Sequence, residues 1–142
     1  MWTGALARLN ANQSPRLLKT FIDRVTFMPT LADRSCVPCK GGVPPLKGEE
    51  LEKIRQQLTE PEKWKINGEH HLLRSFKFPD FKSALAFVNQ VGAIAEEQGH
   101  HPDITLAWGK VEITIWTHAI DGLTESDFIL AAKIEQINSE KR

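Results

Sequence analysis

Two short runs in which apolar and polar residues alternate limit the folds that this chain can adopt. Alternation at every second residue is the period of a β-strand with one buried face, and the apolar positions are Ile104, Leu106, Trp108, Val111, Ile113 and Ile115. Gly109-Lys110 lies between the runs with glycine first, as a type II′ turn requires. The runs therefore predict a hairpin in which Ile104 faces Ile115 and, by extrapolation, His101 faces His118.

A second hairpin is predicted from residues 64–78. Trp64 and Ile66 precede Asn67-Gly68, and a mixed run follows as far as Phe78. Asparagine followed by glycine supplies the positive φ angles that a tight type I′ turn needs. Because both hairpins are antiparallel, together they predict an antiparallel sheet of four strands.

Three amphipathic helices are predicted around the hairpins. The first ends before Pro61, the second begins after an Asp80 cap and ends at Gly99, and the third begins at Thr124. Their core-facing positions are expected to be Leu51, Ile54 and Leu58 in the first helix and Phe81, Leu85, Val88 and Ala95 in the second. The predicted class is α+β, a two-layer sandwich in the order α-β-β-α-β-β-α with all three helices on one face of the sheet.

Composition excludes a few classes of function. The chain has 142 residues, enough for one domain, and its 18 basic and 18 acidic side chains leave no net charge. This balance gives no electrostatic reason to bind nucleic acid or an anionic membrane, and no apolar run approaches the ~20 residues of a membrane span. The two cysteines, Cys36 and Cys39, are too few for a disulfide framework, so a reducing, cytoplasmic location is the default expectation.

Residues 1–34 differ in character from the rest of the chain. They are rich in basic and poor in acidic side chains, and apolar residues between 17 and 25 have helical spacing. Such a segment is typical of a targeting peptide, which would direct the protein to an organelle. An unstructured leader and a true start at Met28 are the alternatives. We therefore divide the chain into an N-terminal extension, 1–34, and a domain, 35–142.

His100, His101 and His118 are the residues best suited to chemistry. The first two lie between the second helix and the hairpin, and the third ends the hairpin, so the fold is expected to gather them at one rim of the sheet. Imidazole titrates near neutral pH, so the cluster can supply both a proton donor and a proton acceptor. Glu96 lies one helical turn before His100 and is expected to reach it. The alternative is that each histidine is an ordinary polar residue at a strand edge.

A zinc site is the competing prediction, since three histidines and a carboxylate can hold this ion. Adjacent residues of an extended segment point to opposite faces, which argues against His100 and His101 sharing one metal. A zinc site at Cys36 and Cys39 is rejected because the chain has no second cysteine pair. We therefore favour acid–base chemistry over metal binding.

The remaining candidates have simpler interpretations as well as functional ones. Asp127, three residues after Thr124, fits a helix-capping box, and it could also point into the cleft beside His118. Trp108 is more often a packing residue than a surface on which a ligand stacks. His70 and His71 lie in the first hairpin and are expected to be surface residues.

Several short segments around these residues form a specific pattern, namely EEQGHHPD at 96–103, TH at 117–118 and LTESD at 123–127, together with Trp108. This pattern resembles the pterin-4a-carbinolamine dehydratase family. The resemblance extends from about residue 31 to residue 137 and includes CVPCKGG at 36–42 and RSFKF at 74–78. Residues 1–27 lie outside it. The segment 119–121 departs from the family pattern and is expected to alter the rim of the pocket.

The resemblance implies a reaction, the loss of water from 4a-hydroxytetrahydropterin to give quinonoid dihydropterin after an aromatic amino acid hydroxylase has acted. It implies neither a metal nor a bound organic cofactor, and a homodimer or homotetramer built from edge-to-edge dimers. Some family members also serve as dimerisation cofactors for a transcription factor, so a partner-binding module is the alternative function. The candidate site consists of three catalytic histidines and three supporting or substrate-contacting residues: His100, His101, His118, Glu96, Asp127 and Trp108.

Roles within this site follow from the chemistry. Hydroxide is a poor leaving group, so the C4a hydroxyl needs a proton as its bond breaks, and N5 must then lose its own proton. We expect His100 and His118 to form this acid–base pair. A carboxylate partner, expected to be Glu96, would favour His100 as the proton donor. His101 is expected mainly to hold the pterin.

Overall fold

The computed structural model describes residues 28–37 and 41–141. Its helices and strands follow the predicted order: α1 Glu49–Arg55, β1 Lys65–Asn67, β2 His71–Lys77, α2 Phe81–Gln98, β3 Asp103–Ala107, β4 Lys110–Ile115 and α3 Glu125–Ser139. Short 3-10 helices span Leu31–Asp33 and Pro61–Lys63. The predicted α+β class is confirmed. The expectations for residues 1–27, and for Cys39, lie outside the described residues.

The four strands form one antiparallel sheet in the order β1-β2-β4-β3. The strands β2 and β4 are central, and Leu72 pairs with Ile115 at one end of their ladder. Alternate residues of these strands are buried beneath the helices, including Leu72, Val111, Ile113 and Ile115, none of which is exposed at all. The sheet therefore has one buried face, because side chains alternate between the two faces of a strand.

The hairpin of β3 and β4 forms, but its register differs from the prediction by two residues. Ile104 pairs with Ile113 rather than Ile115, and Trp108 and Gly109 make the turn. A Cβ added at Gly109 would lie 2.8 Å from the carbonyl oxygen of Phe78, the residue after β2, so a side chain at position 109 would clash there. A two-residue shift keeps every side chain on its face. The apolar face is therefore as predicted, except that Trp108 leaves it and is 69% exposed.

The first hairpin also forms, with a longer turn than predicted. Asn67 pairs with His71, so the connection is Gly68–His70 rather than Asn67-Gly68. The positive φ angles fall at Gly68 and Glu69, one residue later than the Asn-Gly pattern indicated. The two-residue type I′ prediction was therefore wrong in its position.

Helix α2 buries a face that overlaps the predicted one only at Ala95, with Val88 partly buried against the core. Its core residues are Ala84, Phe87, Val91 and Ala95, whereas Phe81 and Leu85 remain 46% and 40% exposed. The helix has apolar residues on two faces, and aromatic packing selects one of them, because Phe87 lies 4.8 Å from Phe76 and 5.0 Å from Phe78 between ring centroids. Both predicted ends are confirmed: Asp80 caps Ser83 N at 2.7 Å, and Gly99 has φ +61°.

Helix α3 is buried along most of its length and forms the centre of the helical layer. It begins after Thr124, whose backbone N–H donates to the Asp127 carboxylate at 2.8 Å, as the capping prediction requires. The 3-10 helix Leu31–Asp33 packs on it, and Leu31 is only 2% exposed. The packed part of the chain therefore begins no later than Leu31, earlier than the expected boundary between residues 34 and 35.

A second acidic residue of α3, Glu135, forms a buried polar cluster that the sequence did not reveal. Its carboxylate accepts hydrogen bonds from the backbone of Thr59 and Glu60, from Trp64 Nε1 at 3.2 Å and from the Arg74 guanidinium at 3.2 Å. Arg74 also pairs with the Glu60 side chain. This cluster ties β2 and the segment after α1 to α3. Among the described residues, no helix is both long enough and apolar enough to cross a membrane.

Candidate active site

The three predicted histidines meet at one rim of the sheet, where α2 ends, β3 begins and β4 ends. They line a shallow cavity of about 200 Å³ formed by Gly99, His100, His101, Trp116, Thr117, His118 and Ala119. This volume is below the roughly 300–1,000 Å³ of a typical small-molecule pocket. The cavity is thus an open surface on which three imidazoles converge, and a ligand would remain partly exposed.

His100 is the most enclosed of the three and is held by a carboxylate. Its Nε2 lies 2.6 Å from Asp127 Oδ1, and the two side chains are 13% and 0% exposed. The other oxygen, Oδ2, accepts from Thr117 Oγ1 at 2.9 Å and from Thr124 N at 2.8 Å. Asp127 is therefore both the predicted helix cap and the partner of His100, and through Thr117 it contacts the residue before His118.

The prediction that Glu96 pairs with His100 was wrong. Glu96 Oε1 lies 2.6 Å from Nε2 of His101, and these side chains are 79% and 61% exposed. The left-handed conformation of Gly99 ends the helix, so the spacing of four residues no longer places two side chains on one face beyond it. His100 turns inward toward Asp127, and His101 turns outward toward Glu96.

His118 is held in a different way. Its imidazole packs on the Trp116 indole, with ring centroids 4.3 Å apart, and it makes no hydrogen bond to any residue that the structure describes. The residue lies in a tight turn closed by Thr117 N donating to Gly122 O at 2.9 Å. Register does not place His101 opposite His118, because β3 begins at Asp103 and β4 ends at Ile115. The two residues meet in the connecting segments beyond the strand ends.

Two further histidines belong to this region, although they were expected to be unrelated surface residues. His70 and His71 are half-buried, and both rings contact Trp116, with centroids at 5.8 and 6.3 Å. His70 Nε2 also lies 2.8 Å from Asp121 Oδ1. Only the β2–β4 pairing brings the start of β2 beside the end of β4, and the sequence contains no signal of that register.

Trp108 does not join the site within one chain. It lies in the β3–β4 turn, at the opposite end of the hairpin from the histidines. Five residues of β3 at about 3.3 Å each separate the two ends. Trp108 is therefore distant from the histidines of its own chain, and the expectation that it supports substrate binding stays a prediction.

The same rim is where a bound metal ion was the competing prediction. Across residues 28–37 and 41–141, no three histidine, cysteine or acidic side chains are grouped as a metal site requires. His100 and His101 turn to different carboxylates, which agrees with the argument that adjacent residues do not share one ion. Cys36 Sγ instead donates a hydrogen bond to the Ser126 carbonyl at 3.4 Å.

Known proteins are similar to this chain over most of its length. The sequence profile of the family described as pterin 4 alpha carbinolamine dehydratase matches residues 44–137. A protein of Rubrobacter xylanophilus, provisionally named pterin-4-alpha-carbinolamine dehydratase, is 61% identical over 78% of this chain and all of its own length. A protein of Alkaliphilus metalliredigens with the same provisional name is 51% identical over 80% of this chain and all of its own length.

A solved structure shows the same fold. The protein from Brucella melitensis described as a transcriptional coactivator/pterin dehydratase is 34% identical, with a TM-score of 0.60, and the match covers 66% of this chain and 97% of that one. This chain belongs to the pterin 4 alpha carbinolamine dehydratase family.

Proposed function

We propose that this protein removes water from 4a-hydroxytetrahydropterin to give quinonoid dihydropterin. The observation that carries the proposal is the convergence of His100, His101 and His118 on one cavity, in a member of this family. An aromatic amino acid hydroxylase is the class of enzyme that produces such a substrate. The dehydratase would therefore return the pterin to a form that can be reduced and used again.

The reaction is an elimination with no net oxidation or reduction. The C4a–oxygen bond breaks as the hydroxyl takes up a proton and leaves as water, and N5 gives up its proton as the new double bond forms. One protonated and one neutral imidazole are sufficient for both transfers. The balance of atoms and electrons requires neither a metal ion nor an organic cofactor.

Within this scheme His100 and His118 form the acid–base pair. Nε2 of His100 is occupied by Asp127, so Nδ1 is the nitrogen left for the substrate, and the buried carboxylate orients the ring. His118 lines the cavity from the turn that follows β4. His101, whose Glu96 partner is exposed to solvent, contributes mainly to holding the pterin. Binding a flat ring between these groups adds the advantage of orientation.

The test is a dehydratase assay on the purified protein with a synthetic 4a-hydroxytetrahydropterin. Removing a proton-transfer group typically costs about 10²–10⁴ in rate, so His100→Ala and His118→Ala should each lower kcat by that order. His101→Ala should raise KM more than it lowers kcat. EDTA should leave the rate unchanged. Near-normal kcat in His118→Ala, or loss of activity with EDTA, would contradict the acid–base mechanism.

We also propose that the protein is a homodimer or homotetramer. Strand β3 forms an open edge of the sheet, and such edges are usually paired or covered. Antiparallel pairing of two β3 edges about a twofold axis would bring the Trp108 end of one strand beside the Asp103 end of the other. Trp108 could then contact substrate in the partner's cavity. Sedimentation that shows only monomer at micromolar concentration would contradict this proposal.

A partner-binding module is the second candidate, and one observation favours it. Phe81 and Leu85 form an exposed apolar surface on α2, where another protein could pack. The Brucella melitensis relative is described as both a coactivator and a dehydratase. Variants separate the two functions: His118→Ala should abolish turnover and keep partner capture by immobilised protein, whereas Leu85→Asp should do the reverse.

A further inference from the structure

The three histidines of the cavity are not held in equivalent ways. His100 pairs with Asp127 and His101 with Glu96, so each of these rings has a carboxylate on Nε2. The exposed ring of His118 has no hydrogen-bond partner among the described residues. Since an acid–base residue must be held in a defined orientation to act well, the support of His118 must come from its neighbours.

The first support is the turn in which His118 lies. The backbone N–H of Asp121 donates to the His118 carbonyl at 3.2 Å, so these residues are the first and last of one four-residue turn. Asp121 has φ +53°, a left-handed conformation that non-glycine residues seldom adopt. Its side chain leaves the turn and reaches His70 Nε2 at 2.8 Å. The hydrogen bond thus ties the turn to the first hairpin.

The second support is a chain of hydrogen bonds that begins in that hairpin. Asn67 Nδ2 lies 3.3 Å from His71 Nε2, and His71 Nδ1 lies 3.2 Å from His70 Nδ1. Neutral rings satisfy every contact if Asn67 donates to His71, His71 donates to His70, and His70 donates to Asp121. The same two imidazoles contact the Trp116 indole, on which His118 packs.

We propose that His70 and Asp121 are positioning residues that orient His118. They act through their hydrogen bond, which joins the turn that contains His118 to the first hairpin, where the His70 and His71 rings contact Trp116. This inference rests on the proposed function where it concerns turnover. His70 and Asp121 are 37% and 90% exposed, and exposed ion pairs contribute little to stability. Their removal should therefore change catalysis without unfolding the protein.

Two deletion variants break the His70–Asp121 hydrogen bond from either side, and His70→Ala also removes the ring contact with Trp116. His70→Ala removes the donor, and His70→Gln restores an N–H near the position of imidazole Nε2. Asp121→Gly removes the side chain and keeps the left-handed backbone, since glycine adopts positive φ without strain. The matched control is Lys110→Ala, which breaks another exposed ion pair, Lys110–Glu112 at 3.3 Å, at the far end of the sheet.

The expected result is a loss of kcat of about tenfold in His70→Ala and in Asp121→Gly, because small errors in the placement of a reacting group lower the rate steeply. KM and the melting temperature should change little. The double variant should be no slower than His70→Ala, since that change already removes the hydrogen bond to Asp121. His70→Gln should recover most of the rate, and Lys110→Ala should match the native protein.

A second measurement does not depend on the reaction. The Trp116 indole shifts the NMR signals of the His118 imidazole protons, and this shift should decrease in His70→Ala and Asp121→Gly but persist in His70→Gln. Unchanged His118 signals, or kcat within twofold of native in both deletion variants, would overturn the inference. If the native protein does not dehydrate the pterin, the proposed function fails, and the imidazole signals still decide whether His70 and Asp121 position His118.

Discussion

Helix α3 contains two buried carboxylates with different tasks. Asp127, in its first turn, is not exposed at all and faces the His100 imidazole. Glu135, two turns later, is 4% exposed and faces the Arg74 guanidinium, an indole N–H and two backbone N–H groups. The two carboxylates are the same functional group on the same helix. They differ in whether the partner can change its charge.

That difference separates a contact that can only be structural from one that can take part in proton transfer. Arginine remains protonated at any pH that the fold survives, so the Arg74–Glu135 pair can only stabilise or specify structure. Histidine gains and loses a proton near neutral pH, so Asp127 can influence a reaction through His100. A buried carboxylate is therefore not by itself a sign of an active site, because its role depends on whether its partner can exchange a proton.

The largest expected effect on catalysis, and so the strongest test of the difference between the two carboxylates, is that of Asp127→Asn. The amide oxygen can still accept from Thr124 and Thr117, but the amide nitrogen would face His100 and force the other imidazole tautomer. We expect kcat to fall by about 10²–10⁴, with little change in the free energy of unfolding. Steady-state kinetics and urea unfolding measure the two effects. Asp80→Asn, a cap without a histidine partner, is the matched control and should alter neither.

Glu135→Gln should produce the opposite outcome. The amide oxygen can replace Oε1 and accept from Glu60, Trp64 and Arg74, but the amide N–H would then face the Thr59 N–H, and Arg74 would keep only Glu60 as a charged partner. Removing one partner of a buried ion pair costs roughly 3–5 kcal/mol of unfolding free energy. The kcat of the molecules that remain folded should be unchanged. A large loss of kcat in fully folded Glu135→Gln would erase the distinction between the two carboxylates.

A smaller, pH-dependent effect is expected at Glu60. Hydrogen bonds from Lys63 and then Arg74 lower the pKa of Glu60 to about 2, from the usual 4.5. Because the folded pKa is the lower one, this group stabilises the fold above about pH 4.5, and its contribution is lost as the pH falls toward 2. Glu60→Gln should lower the unfolding free energy by about 2 kcal/mol at pH 7. Urea titrations that show the same deficit at pH 2.5 would contradict this explanation.

The weakest effect is expected at the exposed pair of Glu96 and His101. Exposed ion pairs contribute about 0–1 kcal/mol, so Glu96→Gln should raise KM by no more than about fivefold and leave kcat nearly unchanged. Kinetics at low and high salt provide the check, since screening should remove the difference between variant and native protein. A loss of kcat as large as that of Asp127→Asn would show that the exposed carboxylate, not the buried one, supports catalysis.

Local patterns were sufficient for the order of the elements, for both ends of α2 and for the start of α3. Strand alternation predicted the apolar face of β3 and β4, and the caps at Asp80, Gly99 and Thr124 lie where side-chain chemistry requires them. The meeting of three histidines at one rim also followed from element order. These features depend on residues close in sequence, or on the end of an element, and such information is local.

Only the tertiary structure decided which residues distant in sequence contact each other. In the observed β3–β4 register, Gly109 lies close to the Phe78 carbonyl oxygen. The buried face of α2 depends on the packing of Phe87 against the Phe76 and Phe78 rings. Asp127 rather than Glu96 became the partner of His100, because the left-handed Gly99 turns the chain inward. His70 reached the site only through the pairing of β2 with β4. The sequence determined which groups are present and where the elements end, but a contact between distant groups is set by packing, which no local pattern encodes.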